Sequence, residues 1–466
     1  MKKILRRICK VVFCFLLIAV LVNILAPLFC RKPDETYGEM LRKTEFTSET
    51  AGTERIYCID DNEEALLWRL RMIGTAKKSI VLSTFDLRAD ENGTKILAAL
   101  NHAASKGVKI QLLIDGIYQQ LFLAKSSDFQ ALASRENVEV GVYNPVTPVN
   151  LFKVNYRMHD KYLIADEKMY LLGGRNSNDI FLGDHKKGIN VDRDILVYDT
   201  SEGCGESLLQ LEDYFHKIWN EKCVSIKKEK TSSKYTDGQQ HLEELYASLV
   251  EKYKDIESYS AWEKDTEMAN KITLIQNGTQ AGRKVPQVLQ TIKYLSENED
   301  HVIIQTPYVI CNGYMYDVLR EISNHAKLQI VLNAVEKGSN PWGCTDYLNQ
   351  KKKILKTGAD VYELMNDYPV HTKAVLIDNR LSIVGSYNLD MRSTYLDTEL
   401  MLVIDSEKLN QQIRATESDY MEKSKEVLAN GQEKIGAKCE RKVLDWKKKF
   451  YYGVLRIVIR PLRQLL

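Results

Sequence analysis

The chain has 466 residues, of which 44% are hydrophobic, so it can bury a substantial core and is long enough for one large domain or two to three ordinary ones. Its 65 lysines and arginines nearly balance its 63 aspartates and glutamates, and the net charge of +2 argues against a strong overall field for nucleic acid. The nine cysteines form no C-x-x-C pair and the eight histidines no H-E-x-x-H pair, which argues against a zinc site and a disulfide framework.

Residues 1–30 predict a short basic stub followed by a transmembrane helix. Val11–Phe29 holds 19 residues without a charge, which is enough to span a bilayer. This stretch is longer than that of a cleaved signal peptide and ends in a poor cleavage site, so an uncleaved anchor is favoured over a signal peptide. The basic residues before it predict a single-pass protein of the cell membrane with its catalytic part outside the cytoplasm. Four basic residues within 31–43 count against that orientation.

Two long blocks of the chain repeat one order of predicted elements. Residues 31–54 are polar and mixed in charge, which is typical of a stalk. In residues 55–225 and again in 263–425, helical patterns alternate with strands such as Ser79–Leu87 and His301–Ile310. This alternation predicts an α/β fold with largely parallel sheets, and the repeated order predicts two duplicated halves packed about a pseudo-two-fold axis.

Two further segments lie outside these halves. Residues 226–262 begin with the charged stretch Lys227–Gln240 and predict a linker that carries a short helix. Residues 426–466 are basic, and apolar side chains recur there every three or four residues. This pattern predicts an amphipathic helix at a membrane surface, with a helix packed on the second half as the alternative. The apolar positions are Val443, Trp446, Phe450, Val454 and Ile457.

One pattern of residues occurs twice, in Met158–Asn176 and in Val370–Asn388. In each copy a histidine is followed by lysine at +2, aspartate at +7, glycine at +14 and asparagine at +17. A histidine with a structural role explains one copy, but two copies with equal spacing favour a functional site. The first copy comprises His159, Lys161, Asp166, Gly173 and Asn176, and the second comprises His371, Lys373, Asp378, Gly385 and Asn388.

These residue types suit the binding of a phosphate group. The +2 spacing places histidine and lysine on one face of a strand, and the asparagine follows a glycine turn that can bring it back beside them. An imidazole, an ammonium and an amide that converge make a site for a tetrahedral oxyanion. Two copies related by a two-fold axis place a nucleophile on one side of the phosphorus and an acid or base on the other, as in-line displacement requires.

The double H-x-K-x4-D-x6-G-(G/S)-x-N pattern resembles the phospholipase D superfamily over residues 55–425. Within it, "GGRN" and "GSYNLDMRSTYLDTEL" resemble the bacterial cardiolipin synthases. The resemblance implies a two-step reaction in which one histidine attacks a phosphodiester and forms a phosphohistidine. The other histidine protonates the leaving alcohol and then deprotonates the incoming alcohol or water. The resemblance assigns His159 as the nucleophile and His371 as the acid and base.

The resemblance also implies which residues hold the phosphate. Two lysines and two asparagines would bind its non-bridging oxygens, in place of a metal and without a cofactor. Ser386 stands where the first copy has Gly174, and its hydroxyl can add to the phosphate site, so the two half-sites are expected to differ. Phe85 and Tyr308 either line the entrance or pack in the core, and core packing is favoured. The four phosphate-binding donors are Lys161, Lys373, Asn176 and Asn388.

Four carboxylates complete the predicted site. In the family, an acidic residue downstream of each asparagine accepts a hydrogen bond from a histidine, and the matching positions are Asp194 and Glu399. The motif places Asp166 and Asp378 among the catalytic residues. A turn-capping role for these two aspartates at the ends of their strands remains equally open.

Three functions remain in view. The favoured one is a membrane-anchored phosphatidyltransferase that moves a phosphatidyl group between phospholipids such as phosphatidylglycerol. The second is hydrolysis by a phospholipase D or a nuclease, although the anchor and the low net charge disfavour nucleic acid as a partner. The third is a non-catalytic protein that binds anionic lipid, which two intact motifs disfavour.

Overall fold

The computed structural model describes residues 2–185, 187–203, 205–227 and 235–466. The predicted linker residues 228–234 lie outside this part of the chain. The helices are α1 Lys2–Leu25, α2 Glu35–Leu41, α3 Asn62–Thr75, α4 Glu91–Ser105, α5 Gly116–Tyr118, α6 Ser127–Ala133, α7 Glu206–Trp219, α8 Thr236–Lys252, α9 Trp262–Asp265, α10 Gln287–Leu295, α11 Gly313–His325, α12 Pro341–Leu355, α13 Met391–Tyr395, α14 Glu407–Glu422 and α15 Trp446–Ile459. A π-helical turn spans Gln119–Leu123, and 3-10 turns span Ala26–Leu28, Leu151–Lys153 and Arg460–Leu465.

Eighteen strands of the described residues form two nine-stranded sheets. The strands of the first sheet are β1 Glu54–Ile59, β2 Ser79–Thr84, β3 Lys109–Asp115, β4 Val138–Tyr143, β5 Lys161–Ala165, β6 Met169–Gly173, β7 Asp194–Asp199, β8 Val224–Lys227 and β9 Glu267–Met268. The strands of the second sheet are β10 Lys271–Gln276, β11 His301–Gln305, β12 Lys327–Asn333, β13 Asp360–Leu364, β14 Ala374–Ile377, β15 Leu381–Gly385, β16 Leu400–Asp405, β17 Ser424–Val427 and β18 Glu433–Ile435.

The two sheets repeat one topology. The first has the strand order β8-β4-β3-β2-β5-β6-β7-β1-β9, and the second has β10-β16-β15-β14-β11-β12-β13-β17-β18. From β1 to β8 in the first sheet, the strands therefore correspond one by one to those from β10 to β17 in the second. The predicted duplication of an α/β unit is confirmed.

The sheets are mixed rather than largely parallel, which corrects the prediction. Only β2, β3 and β4, and likewise β11, β12 and β13, pair in parallel. The helical crossovers of each half produce these parallel pairs. After them, each half continues through a tight hairpin, β5–β6 or β14–β15, whose strands are antiparallel.

The hydrophobic core has three parts, and the third joins the halves. One cluster lies within each half, between its sheet and its outer helices. The third contains Ile164 and Leu172 of the first sheet together with Leu376 and Val384 of the second. Because β5, β6, β14 and β15 are covered on both faces, every residue in them is buried. The motif strands therefore lie at the centre of the molecule.

Two segments predicted to connect the folded parts pack onto them instead. The stalk, residues 31–54, runs along the second half, where the Tyr37 hydroxyl and Thr291 hydroxyl are 2.8 Å apart. Within residues 226–262, α8 contributes Leu242 and Leu249 to the core of the first half. Polar and charged composition predicted a stalk and a linker, but each segment carries a few apolar side chains at helical spacing that suffice for docking.

The two ends of the chain present apolar surface. The helix Lys2–Leu28 is the one helix within the described residues that is long and apolar enough to cross a membrane. Near the other end, α15 packs on α12 through Tyr452, Leu455 and Ile459. The opposite face of α15 is exposed at Trp446, Phe450, Val454 and Ile457. Val443, three residues before the helix begins, is exposed as well.

Candidate active site

The two motifs meet where the halves pack together. Two isolated parallel bridges cross the interface there, between Met158 and Thr398 and between Val191 and Val370. Each bridge joins the residue just before a motif histidine to a segment of the opposite half. The amide of His371 donates to the carbonyl of Val191 at 2.6 Å. The backbone thus fixes each histidine against the other half.

His159 is held by a carboxylate from the second half. Its Nδ1 lies 2.9 Å from Oε1 of Glu399, which follows Thr398 directly. Its backbone amide donates to the Thr398 hydroxyl at 3.1 Å. When Nδ1–H donates to Glu399, the lone pair of Nε2 is free to act as a nucleophile or base. Glu399 therefore has the predicted contact with a histidine, but with the histidine of the opposite half.

His371 is held in the same way by the first half, through Asp192. Its Nδ1 lies 2.7 Å from Oδ2 of Asp192. The Lys373 ammonium lies 3.1 Å from Nε2 of His371 and 3.7 Å from the same Asp192 oxygen. The contacts are reciprocal, since each half supplies a histidine and the carboxylate that orients the other half's histidine.

The prediction for Asp194 is corrected. Its carboxylate binds the guanidinium groups of Arg175 and Arg69, each at 3.0 Å, and does not contact a motif histidine. In the sheet register Asp194 faces Gly173, as Met401 faces Gly385 in the second half. The structural counterpart of Glu399 is therefore Asp192, two residues earlier. The sequence D-R-D offers two acids, and only the strand pairing distinguishes them.

The motif lysines are buried beside their histidines. The Lys161 ammonium donates to the carbonyl of His159 at 2.5 Å, and Lys373 donates to the carbonyl of His371. Burial lowers the pKa of Lys161 to about 7 and that of Lys373 to about 8. Buried cations beside each other favour a bound anion, because its charge compensates for the lost solvation.

The motif asparagines are buried but not committed to protein partners. Among the described residues, the side-chain Oδ1 atoms of Asn176 and Asn388 have no hydrogen-bond partner. Both side chains are more than nine-tenths buried. Oδ1 accepts hydrogen bonds, so a phosphate oxygen would bind the Nδ2 group of the same amides, for which no bond to another described residue is seen.

The motif aspartates lie at the far ends of their strands, so the prediction that they are catalytic is corrected. The Asp166 carboxylate accepts from the amides of Lys77, Lys78 and Ser79 at 2.6–3.0 Å. Asp378 accepts from the amide of His301 at 2.7 Å. Both aspartates have positive φ, at 58° and 41°, and they cap the turns of the hairpins. Four strand residues lie between each aspartate and its lysine, so five steps of the strand, roughly 16 Å, separate the two.

Ser386 lies behind the site, which corrects its predicted contact with phosphate. Its hydroxyl donates to the Glu399 carboxylate and accepts from the amide of Leu400 at 3.0 Å. At the matching position, a Cβ on Gly174 would lie 2.5 Å from an Asp192 oxygen. Serine thus supports the carboxylate of one half-site, and glycine makes room for the carboxylate of the other.

An aromatic ring packs edge-on against each histidine. The centroid of Phe85 lies 4.8 Å from that of His159, and the centroid of Phe181 lies 5.1 Å from that of His371. Tyr308 instead packs on α12, where its ring leaves no room for a Cβ at Gly343. Sequence analysis did not identify Phe181 or Asp192. Glu399 indicates Asp192 only once the two-fold relation of the halves is known, whereas Phe85 and Phe181 both come from the first half and are not related by it.

Burial and the two lysines keep both imidazoles neutral. Burial lowers the pKa of His159 well below its ordinary value, and repulsion from Lys161 and Lys373 lowers it further. Burial and repulsion from Lys373 lower the pKa of His371 to about 3, despite the hydrogen bond to Asp192. An anion bound between the lysines would add negative charge beside both rings and raise these pKa values.

A family model described as "Cardiolipin synthase, PLD-like domain" matches residues 70–219 and 291–419, which together make up more than half of the chain. Each matched stretch contains one copy of the motif. The two stretches correspond to the two structural halves.

Individual proteins agree with this match. The chain is 24% identical to cardiolipin synthase C of Escherichia coli (strain K12) over 418 residues, which cover 80% of this chain and 86% of the relative. It is 26% identical to a cardiolipin synthase of Oceanobacillus iheyensis over 360 residues, covering 77% and 67%. The crystal structure of phosphatidylserine synthase from Haemophilus influenzae superimposes with a TM-score of 0.65, covering 93% of this chain and 99% of that one, at 15% identity. This last likeness shows a shared fold.

Proposed function

The chain belongs to the family described as "Cardiolipin synthase, PLD-like domain", and from this premise we propose that it is a phosphatidyltransferase that moves a phosphatidyl group from one phospholipid, such as phosphatidylglycerol, to another. The observation that carries the proposal is the reciprocal pairing of His159 with Glu399 and of His371 with Asp192. It gives two oriented imidazoles at one site, as double displacement at phosphorus needs.

In the first step, Nε2 of His159 attacks the phosphorus of the donor lipid. The N–P bond forms as the bond from phosphorus to the glycerol headgroup oxygen breaks. His371 gives its proton to the departing alkoxide, so glycerol leaves as a neutral alcohol. The negative charge of the bound phosphodiester raises the pKa of His371, and this lets the imidazole carry that proton near neutral pH.

In the second step, the hydroxyl of an acceptor lipid occupies the place that glycerol left. His371 takes its proton while its oxygen bonds to phosphorus, and the N–P bond to His159 breaks. One phosphodiester is exchanged for another, so the free-energy change of the reaction is close to zero and no nucleotide is needed to drive it. If water replaces the lipid hydroxyl, the same steps give hydrolysis.

Lys161, Lys373, Asn176 and Asn388 stabilise the pentacovalent transition state in this proposal. The ammonium and amide groups donate to the non-bridging oxygens, where negative charge increases during attack. Two buried cations supply the neutralisation that a metal ion provides in other phosphoryl-transfer sites, so the proposed reaction requires neither a metal nor a cofactor.

The proposed location is the cell membrane, with α1 as the anchor and the catalytic halves on the outer side. The basic residues that begin α1 support a cytoplasmic N-terminus. The exposed apolar stripe of α15, flanked by Lys447, Lys448 and Lys449, supports contact with an anionic bilayer surface.

A direct assay tests the proposal. The full-length protein in detergent is incubated with phosphatidylglycerol labelled in its acyl chains, without metal, beside His159→Ala and His371→Ala. We expect cardiolipin and glycerol from the wild type, neither product from His159→Ala, and far less of both from His371→Ala. His325→Ala, which removes an exposed histidine at the end of α11, is the matched control and should behave as the wild type.

Other products identify the alternatives. Phosphatidic acid in place of cardiolipin would show a hydrolase. A wild type that converts neither phosphatidylglycerol nor nucleic acid would contradict an enzymatic role and favour a protein that only binds anionic lipid.

A further inference from the structure

We propose that two loops of the first half enter the apolar layer of the bilayer beside α1 and form a track that guides the acyl chains of a lipid substrate to His159. The first loop is residues 144–157, between β4 and the first motif. The second is Gly116–Leu123, which follows β3. The proposal rests on the lipid substrate proposed above and adds where its acyl chains bind.

The first loop is fastened to the C-terminal half of α1. The Asn23 amide donates to the carbonyl of Leu151 at 2.6 Å, and the Asn155 amide donates to the carbonyl of Asn23 at 2.6 Å. The rings of Phe15 and Phe152 meet edge-on at 5.3 Å. Asn23 is a polar residue within the uncharged stretch of α1, and its amide also donates to the carbonyl of Ala19 at 2.8 Å, so its own helix and the loop share in satisfying it.

These contacts determine the depth of the loop. Phe15 lies ten residues before the end of α1 at Leu25, roughly 15 Å at the helical rise per residue. A hydrocarbon layer is about 30 Å thick, so Phe15 and its neighbour Phe152 lie well inside it if α1 spans the membrane. Lys153, which follows Phe152, is exposed, so its ammonium must be directed out of the hydrocarbon on the headgroup side.

Each loop exposes large apolar side chains. Val149 is 88% exposed and Leu121 is 69% exposed. The loops are held together, since the Gln120 amide donates to the carbonyl of Val146 at 3.2 Å. Such side chains are costly in water and favourable in lipid.

Aromatic rings connect this surface to the site. Phe122 is exposed at its outer edge and lies 5.8 Å from Tyr118, which lies 4.3 Å from Phe85. Phe85 in turn packs on His159 at 4.8 Å. A lipid whose phosphate is at Nε2 of His159 can therefore lay an acyl chain along Phe85, Tyr118 and Phe122 toward the bilayer.

The second half has no counterpart of the loop formed by residues 144–157, although it is a duplicate of the first half. The first motif is separated from β4 by residues 144–157, whereas the second is separated from β13 by the short segment 365–369. The added residues of the first half are those that contact α1. Only the first half has these residues, because only the first half brings the lipid to the proposed nucleophile.

The first experiment compares substrates of different chain length. The full-length protein and the double variant Leu121→Asp/Val149→Asp are assayed with dioleoyl phosphatidylglycerol in vesicles and with dihexanoyl phosphatidylglycerol as monomers. We expect the ratio of the long-chain rate to the short-chain rate to fall by at least about tenfold, because two apolar anchors are lost. Leu209→Asp, at a residue of α7 that is 49% exposed, is the control and should leave the ratio unchanged. An unchanged ratio in the double variant would overturn the proposal.

The second experiment needs no activity. Val149→Trp and Leu209→Trp are reconstituted into vesicles whose lipids carry bromine on the acyl chains, and the fluorescence of the five native tryptophans is subtracted. We expect quenching of the added tryptophan at position 149 to exceed that at 209 severalfold. Equal quenching would overturn the bilayer contact. If the wild type converts neither lipid, the proposed function fails while this measurement still decides where the loop lies.

Discussion

The two half-sites contain the same donors but different supports. Behind His159, Glu399 accepts from the neutral Ser386 hydroxyl, and burial raises the pKa of Glu399 to about 8. Behind His371, burial alone would raise the pKa of Asp192, but attraction to Lys373, the hydrogen bond from His371 and Arg175 together lower it well below its ordinary value. Both halves thus keep a histidine, a lysine and an asparagine, whereas the carboxylates behind the histidines differ.

This difference bears on which histidine does what. An ionised carboxylate stabilises an imidazolium, and a protonated one does not. Asp192 is ionised throughout the neutral range, so His371 is the better histidine to hold the proton that it gives in the first step and regains in the second. We infer that the asymmetry of the carboxylates supports the assignment of His159 as nucleophile.

Removal of each histidine gives the largest expected effect. With phosphatidylglycerol labelled at phosphorus, His159→Ala should abolish both turnover and labelling of the protein, because no N–P bond can form. His371→Ala should slow turnover by about 10²- to 10⁴-fold and still become labelled, since it lacks only the proton donor. Acid-labile, base-stable label on denatured protein is the measurement. Label on His159→Ala but not on His371→Ala would reverse the assignment.

Neutral replacements of the two carboxylates should differ in effect. Asp192→Asn should lower kcat by roughly 10³-fold, because it removes an ionised partner and disturbs the tautomer of His371. Glu399→Gln should cost only about tenfold, because Glu399 is largely protonated near pH 7 already. Asp194→Asn is the matched control. It breaks the contacts with Arg69 and Arg175, so it should lower the melting temperature and leave the pH profile of kcat unchanged. Equal losses at 192 and 399 would contradict the asymmetry.

The lowered pKa values of Lys161 and Lys373 predict that the affinity for a phospholipid depends on pH. Their pKa values of about 7 and 8 mean that the positive charge is present below pH 7 and lost as the pH rises through both values. The affinity of His159→Ala for dihexanoyl phosphatidylglycerol should therefore fall between pH 6 and 9 by about tenfold or more. Calorimetric titration at each pH measures it. Lys161→Met should remove the part of the fall nearest pH 7, and a flat profile in the parent variant would contradict the proposed role of the lysines.

The smallest effect is expected where the two halves are made alike. Ser386→Gly gives the second half the residue found at Gly174, and it removes a hydrogen bond that lowers the pKa of Glu399. The rate at neutral pH should fall by roughly three- to tenfold, the value of one hydrogen bond. Initial rates from pH 6 to 9 measure it. A loss as large as that of Asp192→Asn would show that the serine contacts the phosphate after all.

Much of the architecture was predictable because it is local or repeated. Hydrophobic periodicity predicted the helices and strands of both halves, and the spacing His-Lys-Asn at +2 and +17 identified the donors of one site. These signals depend on neighbours along the chain. The mixed pairing of the sheets was missed because antiparallel hairpins and parallel crossovers can join similar strand patterns.

The sequence by itself determined that the chain is a duplication, that each copy contributes a histidine, a lysine and an asparagine, and that apolar segments lie near both ends. Only the tertiary structure decided that each histidine bonds to a carboxylate of the other half, that this carboxylate is Asp192 rather than Asp194, and that Asp166, Asp378 and Ser386 face the protein rather than the phosphate. The physical reason is that these choices depend on strand register and on the two-fold packing of the halves. A shift of two residues along a strand keeps the same face and the same sequence pattern, yet moves a side chain by about 7 Å.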